Sequence, residues 1–162
     1  MPQRSERKGW PGPEYHVEVT LPVPLPFAFA WCTDFRPDDA EREGESYLRK
    51  VVERGARRVV FEDAEETPQG WDWARYEVTL QPPNRWHMHR IGNHVDAVGD
   101  YRLTALPGNR TRFELTWRRR PGLFDFHRGS KRERERLTTI AWRRFGRAMG
   151  RDYKKSRAKS KR

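Results

Sequence analysis

Four residues in one short stretch have side chains that bind metals. Residues 85–100 read RWHMHRIGNHVDAVGD, with His87 and His89 two apart on one strand face and His94 and Asp96 beyond a Gly92-Asn93 turn. Imidazoles and a carboxylate from two neighbouring strands are the donor set of a zinc or similar divalent site. The same alternation sends Trp86 and Met88 to the opposite, apolar face and leaves the histidines on the polar one. No metal ligand is therefore nominated. Arg90 shares the parity of Trp86 and Met88, where a guanidinium either pairs a ligand carboxylate at a cavity mouth or closes a rim salt bridge.

Other chemistry is sparser. The single cysteine, Cys32, excludes an internal disulfide and a cysteine-based zinc site. Beside Phe29, Ala30 and Trp31 it reads as a small core residue, which suits a reducing compartment. Gly-x-Ser-x-Gly, a phosphate-binding glycine loop and a dinucleotide fingerprint are all missing from the sequence. No carboxylate stands in a context that marks a general acid or base. The sequence thus points to no catalytic residue and no cofactor.

The aromatic residues are a different matter. Seven Trp, eight Phe and five Tyr fall in short periodic runs. Tyr76 with Val78, Trp86 with Met88, Tyr101 with Leu103, and Phe113 with Leu115 and Trp117 keep the parity of apolar neighbours; Trp31 and Phe145 face them from helices. Most of these residues make a core, and a subset beside a void would line a pocket, with Tyr hydroxyls and Trp N–H groups as polar handles. The candidate ligand-binding set is Trp31, Tyr76, Trp86, Met88, Arg90, Tyr101, Phe113, Trp117, Phe124, Ala141 and Phe145. Phe124 enters through the loop GLFDFHRGS, residues 122–130, which is placed to border such a pocket as a gate.

The net charge of +11 is unevenly spread. Arg128 to Arg162 holds fifteen Lys and Arg against three acids, a net of +12, and the rest of the chain sums to −1. Arg143, Arg147, Arg151, Lys154, Lys155 and Arg157 are the candidate polyanion contacts, either a solvated helix face or a nonspecific grip on RNA or an anionic surface. The longest apolar run, Leu21 to Cys32, is short and broken by prolines, so no membrane span is expected and the cytoplasm is the expected location.

These residues need elements to position them. Val17, Val19 and Leu21 alternate with polar residues as a half-buried strand, and the prolines after it lead into a short helix over residues 27–35. Residues 34–46 form a second short helix or an ordered loop. Six strands follow over residues 47–54, 57–65, 71–81, 85–91, 95–106 and 110–120, separated by Gly, Pro and Asn turn signals. No helical stretch lies between them, so the sheet is antiparallel. Ser130 and Glu133 form a capping box, and Leu137, Ile140, Ala141, Phe145, Ala148, Met149 and Tyr153 give an apolar face to a helix over residues 131–153. The predicted organisation is a leader (residues 1–14), an α+β domain (15–153) of seven strands wrapped around the last helix, and a basic tail (154–162).

With its opening VEVTLPVPLPFAFAWCTDF, its hairpins IGNHVDAVGDYRLTALPGNRTRFELTW and its closing amphipathic helix, the chain resembles the START-related helix-grip superfamily of polyketide cyclase/dehydrase and lipid-transport proteins. It departs from that pattern in lacking a Trp within residues 38–46 and in its Arg-rich end. The resemblance implies a cavity between sheet and helix for a small apolar ligand, lipid-like or aromatic, serving transport or a cyclase- or aromatase-like activity. The alternative is an RNA- or ribosome-associated protein that binds through its basic helix.

Overall fold

The computed structural model describes residues 9–121 and 129–161. Phe124 and most of the loop around it lie outside the described residues. Strand β1 (Tyr15–Leu21) is followed by helices α1 (Leu25–Thr33) and α2 (Asp39–Glu43). Then come β2 (Leu48–Arg54), β3 (Arg58–Thr67), β4 (Gly70–Gln81), β5 (Arg85–Gly92), β6 (Val95–Leu106), β7 (Arg110–Pro121) and helix α3 (Lys131–Lys159). The seven strands form one antiparallel sheet in the order β1-β7-β6-β5-β4-β3-β2, so β1 crosses to the far edge and pairs with β7.

Local rules account for these elements. In β1, Tyr15, Val17, Val19 and Leu21 are buried and the residues between them exposed. Pro26 sits in the first turn of α1, where its missing N–H costs nothing. Gly44 ends α2 in the left-handed conformation (φ 72°). The Ser130 hydroxyl caps α3 by accepting from the Glu133 N–H at 3.1 Å. The reciprocal half of the capping box is not made, because the Glu133 carboxylate takes Arg136 instead, at 2.7 and 3.0 Å.

The concave face of the sheet carries Val17, Val19, Leu21, Val59, Phe61, Val78, Trp86, Leu103, Phe113 and Leu115, joined by Ala148 and Met149 of α3. The helix comes close to the end of β1. A Cβ on Gly146 would lie 3.2 Å from Leu21 Cδ2, and one on Gly150 would lie 3.1 Å from Pro22 Cγ.

Ala148 and Met149 are buried as expected, but the face that α3 presents differs from the expected one in its earlier turns. Leu137 and Ile140 remain 54% and 48% exposed. The first turns lie along the sheet edge through other residues: Glu135 accepts from the His16 N–H at 3.0 Å, and Arg134 stands 5.8 Å over the Tyr15 ring. The contact line then runs through Trp142, Gly146 and Met149, on the side of the helix turned away from Leu137 and Ile140. The helix also continues past Tyr153 to Lys159. Among the described residues no helix is long and apolar enough to cross a membrane.

Candidate functional site

A void of about 230 Å³ lies between the sheet, α1, α2 and α3. Its walls come from strand positions of one parity. Phe61, Tyr76 and Arg90 lie in one cross-strand row, Trp86 and Tyr101 in another, and Met88 faces Gly99. Space at Gly99 is tight, since a Cβ would lie 3.3 Å from both Leu115 Cδ1 and Tyr101 Cε2. Helix α1 supplies Trp31 and Cys32, and α3 supplies Trp142 and Phe145.

The rings form two stacks. Phe35, Phe61 and Tyr76 lie nearly parallel at 4.9 and 4.7 Å between centroids. Trp86 and Tyr101 stack at 4.8 Å, and Trp142 closes over Phe113 at 3.8 Å with Phe145 edge-on at 5.4 Å. Phe35 holds the left-handed conformation (φ 40°), uncommon for a bulky residue, and its carbonyl accepts from Arg54 at 3.0 Å.

One end of the void is polar. Asp39 and Glu43, four apart on α2, project to one side, and Tyr47 and Arg49 follow at the start of β2. Arg49 and Asp63 are direct cross-strand partners, so their side chains meet as a two-pronged pair at 2.8 and 2.8 Å. Arg49 also reaches Asp39 at 2.7 Å and lies 4.2 Å over the Phe61 ring. Tyr47 donates to Glu43 at 2.7 Å. A smaller void of about 80 Å³ shares the wall of Tyr47, Asp63 and Tyr76 and adds Glu65, Asp72, Ala74 and Arg90.

Burial sets the protonation states. It raises the Glu43 carboxyl above the usual Glu range, and the Tyr47 hydrogen bond only partly opposes this. Burial also pushes the Tyr47, Tyr76 and Tyr101 hydroxyls and the Cys32 thiol up, so all four stay protonated at neutral pH. Arg49 stays charged, because its bonds to Asp63 outweigh the cost of burial. The lining therefore offers hydroxyl donors, carboxylate acceptors and ring faces, and it has no activated nucleophile.

Of the residues singled out by sequence, Trp31, Tyr76, Trp86, Met88, Tyr101 and Phe145 line the main void. Arg90 lines the smaller one, where it donates to Asp72 at 2.8 Å and to the Tyr76 hydroxyl at 3.1 Å. Phe113 is fully buried behind Trp142, and Trp117 stacks on Tyr15 at 5.1 Å toward the β1 edge. Ala141 is half-buried on α3 outside the lining. Sequence reasoning missed Trp142, Phe35, Phe61 and the whole polar end. Strand parity is the signal that could have found Phe61 and Asp63 on β3, whereas the short α2 carried no pattern that would place Asp39 and Glu43.

The histidines of the β5–β6 hairpin do not converge. His87 meets Asp100 at 2.7 Å on the outer face, His89 lies against Trp10 at 5.7 Å, and Asp96 takes Arg120 at 3.1 Å. The six basic residues of α3 singled out above are all exposed.

No protein-family model matches the chain, and no curated protein matches it in sequence. Solved structures do match in fold. A conserved protein from Geobacillus kaustophilus superposes with a TM-score of 0.69 at 16% identity, over 89% of this chain and 97% of that one. A START superfamily protein from Mycobacterium smegmatis gives 0.66 at 11% identity, over 89% and 99%. The Zhui aromatase/cyclase from a Streptomyces species gives 0.61 at 16% identity, over 86% and 93%. At such identities the likeness speaks to fold, and it agrees with the strand order, the paired short helices and the closing helix described above: the chain has the START-like helix-grip fold.

Proposed function

We propose that the protein binds a small apolar, largely aromatic molecule in the void between the sheet and α3. The observation that carries this reading is the void itself, walled by Trp31, Phe35, Phe61, Tyr76, Trp86, Tyr101, Trp142 and Phe145. Interiors normally pack to crystal density, so a void of this size among large rings is a departure from an ordinary core. An engineered apolar cavity of about 150 Å³ takes benzene. The 230 Å³ here thus suits a compound of one or two rings, or a short lipid-like chain. Fold neighbours described as an aromatase/cyclase and a START protein support a ligand-holding role.

The test is titration with a neutral two-ring fluorescent probe, 6-propionyl-2-(dimethylamino)naphthalene. Saturation near one per chain with quenching of tryptophan emission is expected, since Trp31, Trp86 and Trp142 line the void. Cys32→Phe, which fills the void from α1, should abolish binding while the domain stays folded. A folded protein that takes up no probe would refute the reading.

A second reading rests on one feature of α3. Arg143, Arg147, Arg151 and Lys154 recur at helical spacing as an exposed stripe, with Lys155 and Arg157 beside it. Such a stripe suits nonspecific contact with a polyanion, which is compatible with a ligand in the void.

A further inference from the structure

The chain carries +11 overall, yet its cavity is acidic. The main void is lined by the carboxyls of Asp39, Glu43 and Asp63 and by one basic residue, Arg49. The smaller void behind the shared wall adds Glu65, Asp72 and Arg90. Neither guanidinium is available to a ligand anion. Arg49 is held by Asp39 and by both oxygens of Asp63, and Arg90 is held by Asp72, the Tyr76 hydroxyl and the Val95 carbonyl. Arg42, one layer out, is divided among Asp34, Asp39 and Asp152 at 3.1, 2.8 and 3.5 Å. A carboxylate or phosphate head group would enter a field of its own sign and find no unengaged cation among the lining residues.

A cation meets the opposite conditions. The aromatic walls present ring faces, whose quadrupoles attract positive charge. The lining already uses that attraction: Arg42 lies 5.0 Å over the Trp31 ring, and Arg49 lies 4.8 Å over Tyr47. Glu43 receives a single hydrogen bond, from Tyr47, and so keeps acceptor capacity for a donor on a ligand. A cleft lined by charge of one sign concentrates the field and raises the local concentration of counter-ions.

We propose that the cavity selects a cationic aromatic ligand, a planar apolar body bearing a protonated or quaternary nitrogen, and rejects the anionic analogue. This rests on the ligand-binding reading above: the void is the site, and the carboxyls set the charge of what it accepts.

The test is displacement of bound 6-propionyl-2-(dimethylamino)naphthalene by three compounds on one scaffold: 2-naphthylmethylammonium, 2-naphthylmethanol and 2-naphthoate. Displacement reports the cavity alone, so anions gathered by the basic helix do not register. The ammonium should displace at a concentration at least about tenfold lower than naphthoate, the worth of one hydrogen bond to a charged group, with the alcohol between them. Glu43→Gln and Glu65→Gln should each narrow that gap and leave the alcohol nearly unchanged. If the probe itself does not bind, the ligand-binding reading fails. If the probe binds and naphthoate displaces it as well as the ammonium does, the charge selection is overturned and the reading stands. An ammonium no tighter than the alcohol, or a gap unchanged in both variants, overturns it equally.

Discussion

Arg49→Met removes the guanidinium that holds the polar end of the cavity together. Its side chain is 9% exposed, and those of Asp39 and Asp63 are 8% and 14% exposed, so this is a buried pair and not a surface one. Methionine conserves much of the length and packs well against the Phe61 and Tyr47 rings, so the loss is chiefly electrostatic. Breaking a buried pair by deleting one partner costs about 3–5 kcal/mol, because a charge stays behind without compensation. Asp39 keeps Arg42 at 2.8 Å and the Arg36 N–H at 2.8 Å, which leaves the deficit on Asp63. At about 2–4 °C per kcal/mol for a chain of this size, the melting temperature should fall by roughly 6–20 °C. Arg49→Met/Asp63→Asn should recover at least about half of that loss, since no carboxylate is then stranded. Differential scanning calorimetry of the parent and both variants decides the matter. A single variant melting within about 2 °C of the parent, or a double variant no more stable than the single, would refute the account of this network.

Two further outcomes follow from the same geometry. Burial raises the Glu43 carboxyl above its value in the unfolded chain, so between the two values the folded state binds more protons and stability falls as pH rises. Glu43→Gln, whose amide oxygen still accepts from Tyr47, should become progressively more stable than the parent as pH climbs through and above the ordinary Glu range, followed by melting at successive pH values; parallel curves would contradict this. Deleting residues 154–162, whose described side chains are all exposed, should leave the melting temperature unchanged and weaken binding to single-stranded RNA, the log–log salt slope dropping by about 0.7 for each phosphate that is no longer neutralised.

The sheet was readable in the sequence because its signal is local. Alternation and turn residues mark all seven strands within a few residues of their ends, whereas the pairing of β1 with β7 shows only in the structure. The inward parity of Tyr76, Trp86, Met88 and Tyr101 was readable for the same reason: a strand has two faces and one is apolar. Helix α3 was harder. Its apolar residues occupy more than one face, and Leu137 and Ile140 fit the period as well as Trp142 and Met149 do. Which stripe meets the sheet depends on the Glu135–His16 contact and on the approach of Gly146 to Leu21, and these are tertiary facts. The polar end was hardest. Asp39, Glu43 and Arg49 are ordinary charged residues until α2 folds over the sheet, and a helix of five residues is too short to show a period.

Asp152 shows how the basic helix and the acidic cavity depend on each other. It is the only acid after Glu135, in a stretch otherwise crowded with Arg and Lys, and a surface role there would be to relieve repulsion. Its carboxylate instead points inward, accepting the Trp31 indole N–H at 2.9 Å and approaching Arg42 at 3.5 Å. Trp31 is a wall of the void, and Arg42 also holds Asp34 and Asp39. Asp152 thus ties α3 to α1 and α2 at the point where the roof of the cavity meets its polar end. Its neighbours Arg151 and Lys154 stay exposed, while on the inner side of the same turns Tyr153 packs edge-on against Phe27 at 5.0 Å. After Glu135 the helix therefore separates its charge by face: Arg147, Arg151 and Lys154 remain in water, and the carboxylate of Asp152 fixes the ring that shapes the void.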